Sequence, residues 1–330
     1  MRSRASERLE QLTVIKAHQR ILMGLPASPP SNEPPLWPSG QLLCALVESV
    51  RPAQWVKNGF VFAALIFSRS LTDWHRLERV AFAAVVFCLI AGAGYLLNDI
   101  LDVAEDRQHP VKRSRPVASG RLSARTAAVA AALLALVALA GGWALDPEFF
   151  LVIAVYAVLN SLYSLLLKRV MLVDVFVIAA GFVLRVLGGG LVIHVEISAW
   201  LIVCTTLLAL FLALTKRRHE LVLLGSDASN HRLILANYSP YFLDQLIGIV
   251  TASTLMSYAL YTLSADVATK FPGKRLELTI PFVLFGIFRY LYLVHQTSAG
   301  GNPTRLLLTD RVLLTVVLMW AAAVVLIIYL

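Results

Sequence analysis

The chain has little charge and little cysteine. Asp, Glu, Lys and Arg make up 15% of its 330 residues, against about 25% in an average soluble domain. Hydrophobic residues reach 58%, and mean hydropathy is +0.73. Those values exclude a soluble globular protein, because one core cannot absorb so many apolar runs of roughly 18 residues or more. Cys44, Cys88 and Cys204 stand apart in apolar sequence. That scatter argues against a disulfide framework or a zinc site and leaves three small core residues. A GxxxxGK[ST] loop is missing, which excludes a Walker-type nucleotide site. A Gly-x-Ser-x-Gly elbow is missing too. The first 40 residues are mostly polar and lack the apolar centre of a cleavable signal peptide. The net charge of +9 is spread over loops rather than gathered in one patch. It reads as topology-setting charge, with no nucleic-acid partner.

What the chain has is apolar segments, nine of them. Their approximate limits are 43–68 (interrupted by a polar patch), 79–101, 124–144, 148–167, 171–193, 198–215, 241–263, 277–296 and 311–330. All are expected to be helices, since backbone groups must be satisfied inside the bilayer. Lys and Arg collect at Arg107, Lys112, Arg113, Arg115 and Arg121, at Lys168 and Arg169, at Lys216–Arg218 with Arg232, and at Arg305. The alternate loops are short or mixed in sign, apart from Arg69, Arg76 and Arg79, which run against the pattern. Excess basic charge marks the cytoplasmic side. The expectation is a multi-pass plasma-membrane protein with its N-terminus inside and its C-terminus outside. Residues 1–40 form a separate basic, Pro-rich extension: Met1–Leu25 as a surface helix or a disordered tail, Pro26–Pro38 as a linker. Residues 41–330 form the membrane domain.

One stretch concentrates the chemistry: NDILDVAEDRQHPVKRSRPVASG, Asn98–Gly120. Asp99, Asp102 and Asp106 fall on one face of a helix at spacings of three and seven residues. Three carboxylates together repel one another unless a cation sits among them. Oxygen-only ligands favour Mg²⁺, with Mn²⁺ as an alternative, shared between carboxylates, water and phosphates. His109, Lys112, Arg113 and Arg115 follow at once, and such side chains hold phosphates. Acid cluster and basic loop together suit a metal-chelated pyrophosphate at the cytoplasmic mouth of a membrane segment. Arg51, Lys57, Asp174, Arg185, Asp244 and Arg289 lie within or beside apolar spans. Each costs about 2.5–3.5 kcal/mol at a helix centre. They are therefore expected near an interface or lining a polar cavity with partners. Gly181 and Gly188–Gly190 flank Arg185 and read as close-packing positions rather than a phosphate cradle.

Five motifs carry a family resemblance. RPAQWVKN (51–58), the long acid-basic stretch (98–120), YSLLLKRVMLVDV (163–175), GFVLRVLGGG (181–190) and KRRHEL (216–221) resemble the decaprenyl-phosphate phosphoribosyltransferases of the UbiA-type intramembrane prenyltransferase superfamily. The resemblance runs over roughly residues 42–330. It implies a nine-helix bundle whose polar cavity opens to lipid and is capped on the cytoplasmic side. It implies Mg²⁺-dependent transfer of 5-phosphoribose from phosphoribosyl pyrophosphate to a polyprenyl phosphate, giving a lipid-linked pentose precursor for cell-wall glycan. The superfamily's second acidic motif, after helix 6, is replaced here by Thr215-Lys216-Arg217-Arg218-His219-Glu220. That replacement favours phosphate-rich substrates over a prenyl diphosphate with an aromatic acceptor; a transporter is the other alternative. By this resemblance Asp99, Asp102 and Asp106 hold the metal, and Asn98 orients a carboxylate or metal-bound water. Lys112 and Arg115 take the pyrophosphate. Tyr163, Lys168 and Asp174 take the ribose or its 5-phosphate. Arg51, Lys57, Arg185, Lys216 and Arg217 complete the substrate contacts. A homo-oligomer is compatible with it.

Overall fold

A computed structural model describes residues 39–224, 238–296 and 303–330. The extension expected before residue 39, and Arg232, lie outside the described residues. No strand occurs among those described. In chain order the helices are α1 (Ser39–Val50), α2 (Ala63–Phe67), α3 (Trp74–Leu101), α4 (Val103–Gln108), α5 (Ala124–Leu145), α6 (Pro147–Leu165) and α7 (Val173–Leu191). Then follow α8 (Ala199–Leu224), α9 (Pro240–Thr262), α10 (Ala265–Lys270), α11 (Ile280–Gln296), α12 (Pro303–Thr309) and α13 (Arg311–Tyr329). Among the described residues, eight helical segments are long and apolar enough to cross a membrane.

The expected first span departs from a continuous helix. α1 stops at Val50, Arg51 turns left-handed at φ 54°, and Pro52–Phe62 continues as a 3₁₀ helix before α2. Pro52 explains the break, since proline clashes with the preceding turn and pushes the residue before it out of the α region. The other expected spans match helices within about five residues at each end, except the sixth: its helix runs on to Leu224, so Lys216–Glu220 lie on α8 rather than in a loop. Several start on a side-chain cap: Asp73 for α3, Ser123 for α5, Asp146 for α6, Ser239 for α9 and Asp310 for α13.

The two largest of four apolar cores among the described residues fill most of the bundle. Phe87, Ile90, Phe149 and Ile153 anchor one, between α3, α5 and α6. Phe211, Leu214, Leu243 and Tyr290 anchor the other, between α8, α9 and α11. α7 belongs to both, giving Val175 and Phe182 to the second and leading into Val192 and Ile193 of the first. Its glycines permit this position. A Cβ on Gly189 would stand 1.9 Å from the Val61 carbonyl oxygen, and one on Gly188 2.8 Å from Phe87. The 3₁₀ segment can therefore lie directly on α7. Outward-facing Val129, Leu133, Leu136 and Val137 of α5 give the apolar surface that lipid requires.

Candidate functional site

The site grows from the end of α3. That helix ends at Asp102, whose backbone leaves the helical region (φ −94°, ψ 11°), and α4 restarts at Val103. The break separates the three carboxylates expected on one face. Asp99 and Asp106 are both buried and converge on one guanidinium: Arg115 Nη1 donates to Asp99 Oδ1 at 3.1 Å and to Asp106 Oδ2 at 2.6 Å. Arg51 donates to the same Asp99 oxygen, and its guanidinium stacks on the Tyr95 ring at 4.8 Å. The left-handed turn before Pro52 is what aims Arg51 there. Asp102 turns instead to Lys168, while Asn98 Nδ2 donates to its other oxygen at 2.9 Å. Burial pushes the Asp106 carboxyl up, opposed by Arg115 and Lys112. The basic loop is pinned from behind. Arg107 donates to the Ala118 carbonyl, Arg121 grips Glu48 with two bonds, and Val117 and Leu122 pack with Ala45 and Leu96.

A second group joins α7 to α8. Arg217 Nε donates to Asp174 Oδ2 at 2.6 Å, Nη1 to Glu220 at 2.6 Å and Nη2 to the Tyr163 hydroxyl at 3.0 Å. Tyr238 donates to the other Asp174 oxygen at 3.2 Å and accepts from the Leu172 N–H at 2.8 Å. That second bond holds Leu172 at φ 65°, a strained value for a branched side chain, at the turn joining Lys168 to α7. Burial raises the Tyr238 hydroxyl to about 12, so it stays a donor.

The third group surrounds Arg185. Its Nε donates to Asn58 Oδ1 at 2.7 Å, Nη1 to the Gly181 carbonyl at 2.7 Å and Nη2 to the Tyr156 hydroxyl at 2.6 Å. Phe87, Tyr156 and Phe182 rings flank the guanidinium at 4.9–5.8 Å. Among the described residues no carboxylate reaches it. Lys57 and Lys216 complete this region; Lys216 stands 3.8 Å from Glu220.

Several expectations change in this light. Asp174 and Arg217 were expected on substrate; they are buried against each other, and Tyr163 is one of Arg217's partners. The three aspartates do not form one ligand set, and no group of three or more His, Cys, Asp or Glu suited to a metal occurs among the described residues. Asp99 and Asp106 nonetheless meet the needs of Mg²⁺, which binds through one or two carboxylates plus phosphate and water. Asp244 and Arg289 are partly exposed members of ion pairs, with Arg218 and Asp310 respectively. Asn58, Glu220 and Tyr238 were not singled out from sequence. Glu220 stands three residues after Arg217, a spacing that pairs side chains on a helix. Asn58 sits inside a quoted motif. Tyr238 is far from its partners along the chain and gives no local signal.

Residues 59–223 match the model of the UbiA prenyltransferase family. The decaprenyl-phosphate phosphoribosyltransferase of Mycobacterium tuberculosis is 33% identical over 292 residues, covering 87% of this chain and 95% of the relative. The Corynebacterium glutamicum protein of the same name is 33% identical over 297 residues, covering 88% and 89%. Among solved structures, a UbiA homolog from Archaeoglobus fulgidus bound to GPP and Mg²⁺ superposes with a TM-score of 0.68 at 16% identity, over 87% of this chain and all of that one. The bundle, its membrane-length helices and the near-full-length identity converge: this chain is a multi-pass membrane protein of the UbiA prenyltransferase family, and within it belongs with the decaprenyl-phosphate phosphoribosyltransferases.

Proposed function

We propose that this chain transfers 5-phosphoribose from phosphoribosyl pyrophosphate to a polyprenyl phosphate of the decaprenyl class and releases pyrophosphate. The product is a lipid-linked pentose, a precursor for cell-wall glycan. The observation that carries this reading is the sign of charge around the site. One buried acidic pair, Asp99 and Asp106, is met by Arg51 and Arg115, and Arg51 is in turn one of a group of neighbouring cations with Lys57, Arg185 and Lys216. Those cations suit a substrate pair carrying a pyrophosphate, a 5-phosphate and a phosphate monoester. The names of the mycobacterial and corynebacterial relatives support the same pair.

Each residue then has a role. Asp99 and Asp106 would hold Mg²⁺, whose charge would offset that of the pyrophosphate leaving group; the A. fulgidus homolog of the same fold is bound to Mg²⁺. Arg115, which bridges both carboxylates, swings to the phosphate oxygens, a shift of partners rather than of position. Lys112 acts beside it. Lys168 and Asn98 fix the Asp102 carboxylate. The anomeric carbon gains oxocarbenium character as its bond to pyrophosphate breaks. The acceptor phosphate is already an anion, so no general base is needed, and catalysis is positioning plus charge stabilisation. The site faces the cytoplasm, where the basic loops lie.

The test is a choice between substrate pairs. Purified protein receives phosphoribosyl pyrophosphate with a polyprenyl phosphate, or a polyprenyl diphosphate with 4-hydroxybenzoate. Product from the first pair supports the proposal. Product from the second pair alone overturns it and leaves the fold untouched.

A further inference from the structure

Lys57 differs from the other cations of the site. Among the described residues its ammonium has no hydrogen-bond or ion-pair partner. Its charged neighbours are Lys216, Arg185 and Arg51, all cations. No carboxylate stands among the charged neighbours of Lys57 itself. Arg51 is held on Asp99, Arg185 is bonded to neutral groups only, and Lys216 has Glu220 at the long separation of 3.8 Å. A cluster of like charges at the edge of an apolar bundle repels itself unless an anion arrives.

The segment bearing Lys57 also says from which side the anion comes. Trp55 and Val56, just before it on the 3₁₀ helix, are each 40% exposed, and Asn58, just after it, is buried against Arg185. Lys57 thus sits where the segment passes from its outer apolar flank to the polar interior. An anion tethered to a hydrocarbon chain can place its charge on Lys57 while its tail stays on that flank. A small water-soluble phosphate has no use for such an edge. Arg51 is a charged neighbour of Lys57 and also touches Asp99 of the acidic pair, next to its own left-handed turn.

We propose that Lys57, with Lys216 beside it, receives the phosphate monoester of the lipid acceptor, while the pyrophosphate of the donor is taken on the Asp99, Asp106 and Arg115 side. The proposal rests on the phosphoribosyl-transfer reading and deepens it: it separates the two phosphate-bearing substrates between two groups of residues that Arg51 neighbours. The lipid phosphate oxygen then attacks the anomeric carbon from the Lys57 side, its electron pair forming the new C–O bond. The bond to pyrophosphate breaks on the other side and takes its pair into the leaving group.

The experiment uses the full chain in detergent, with farnesyl phosphate as the probe. Thermal shift is measured first, without Mg²⁺ or donor. Farnesyl phosphate should raise the wild-type Tm and leave that of Lys57→Met unchanged. Lys57→Met should itself melt higher than wild type without ligand, because a like charge has gone. Kinetics come second. Lys57→Met should raise the acceptor KM by about 10–100-fold, the scale of a lost charge-assisted contact, and leave the donor KM within about twofold. Lys57→Arg should recover most of the acceptor affinity. A raised donor KM with an unchanged acceptor KM overturns the proposal, as does a farnesyl phosphate shift that survives Lys57→Met. If Lys57→Met does not fold, wild type gives its own answer: inorganic phosphate should compete with the acceptor, and competition against the donor alone overturns the assignment. A wild-type enzyme that binds farnesyl phosphate through Lys57 but turns over no phosphoribosyl pyrophosphate would fail the broader reading and keep this one.

Discussion

Replacing Arg217 with methionine removes a cation from a place where its main partner has no water to turn to. Asp174 is 0% exposed and Arg217 1%, and their oxygen and nitrogen lie 2.6 Å apart. Glu220, which Arg217 also holds, has a side chain 19% exposed and can find solvent. Asp174 loses its closest ion pair, and the Tyr238 hydroxyl, a neutral donor at 3.2 Å, is among the contacts that remain. Breaking one side of a buried pair costs about 3–5 kcal/mol, because it strands the other charge. That corresponds to roughly a 10²–10⁴-fold shift of the folding equilibrium. Asp174→Asn keeps the shape and can still accept from Tyr238 while it removes the stranded charge. Arg217→Met should therefore lower the Tm sharply, and Arg217→Met with Asp174→Asn should recover much of the loss, a coupling a double-mutant cycle measures. The assay is thermal unfolding in detergent, followed by reaction of a thiol probe with Cys88 and Cys204, which are only partly accessible in the folded state. A Tm equal to wild type for Arg217→Met, with activity alone lost, would refute the structural role and return Arg217 to the substrate contacts.

Three further outcomes follow from the same geometry. Asp99→Asn should lower turnover by at least about 100-fold, the scale of a lost electrostatic stabiliser, with folded protein still recovered by gel filtration; near-normal turnover would end the metal assignment. Gly189→Ala should reduce the yield of folded protein or its Tm, since the added carbon meets the Val61 carbonyl at 1.9 Å and overpacking costs about 1–3 kcal/mol or more; an unchanged Tm would mean the 3₁₀ segment moves freely on α7. In a background without the three native cysteines, Ser114→Cys should resist and Asp266→Cys accept an impermeant thiol reagent applied from outside the cell; the opposite pattern would invert the topology.

Much of the fold was legible because a bilayer simplifies the code. Long apolar runs must be helices, so eight spans could be placed from hydropathy and ended near their capping residues. The first could not be read as it is. Pro52 was visible, but the left-handed Arg51 and the 3₁₀ run to Phe62 depend on α7 offering Gly189 for close approach, a tertiary condition. The glycines themselves read correctly as packing positions. At the site, the Asn98–Gly120 stretch announced its chemistry through residue type, and Asp99, Asp106 and Arg115 do meet. Helical spacing also brought in Asp102, because a break at the last turn leaves no mark in a periodic pattern. Asp174 and Arg217 read as substrate ligands through the family resemblance and the basic stretch that replaces the second acidic motif. Their partners lie 43 residues apart along the chain, and Tyr238 a further stretch away. Long-range pairing of this kind is invisible to local reading.

The central claim is that a lipid phosphate attacks the anomeric carbon of phosphoribosyl pyrophosphate. The most direct measurement supplies purified protein, Mg²⁺ and unlabelled phosphoribosyl pyrophosphate with a short polyprenyl phosphate whose non-bridging oxygens carry a heavy isotope. Mass spectrometry then locates the label. The account predicts a lipid-linked 5-phosphoribose with heavy oxygen bonded to the sugar carbon, and one unlabelled pyrophosphate released per product. Free ribose 5-phosphate together with a lipid bearing extra phosphate, or pyrophosphate carrying the heavy label, would contradict it.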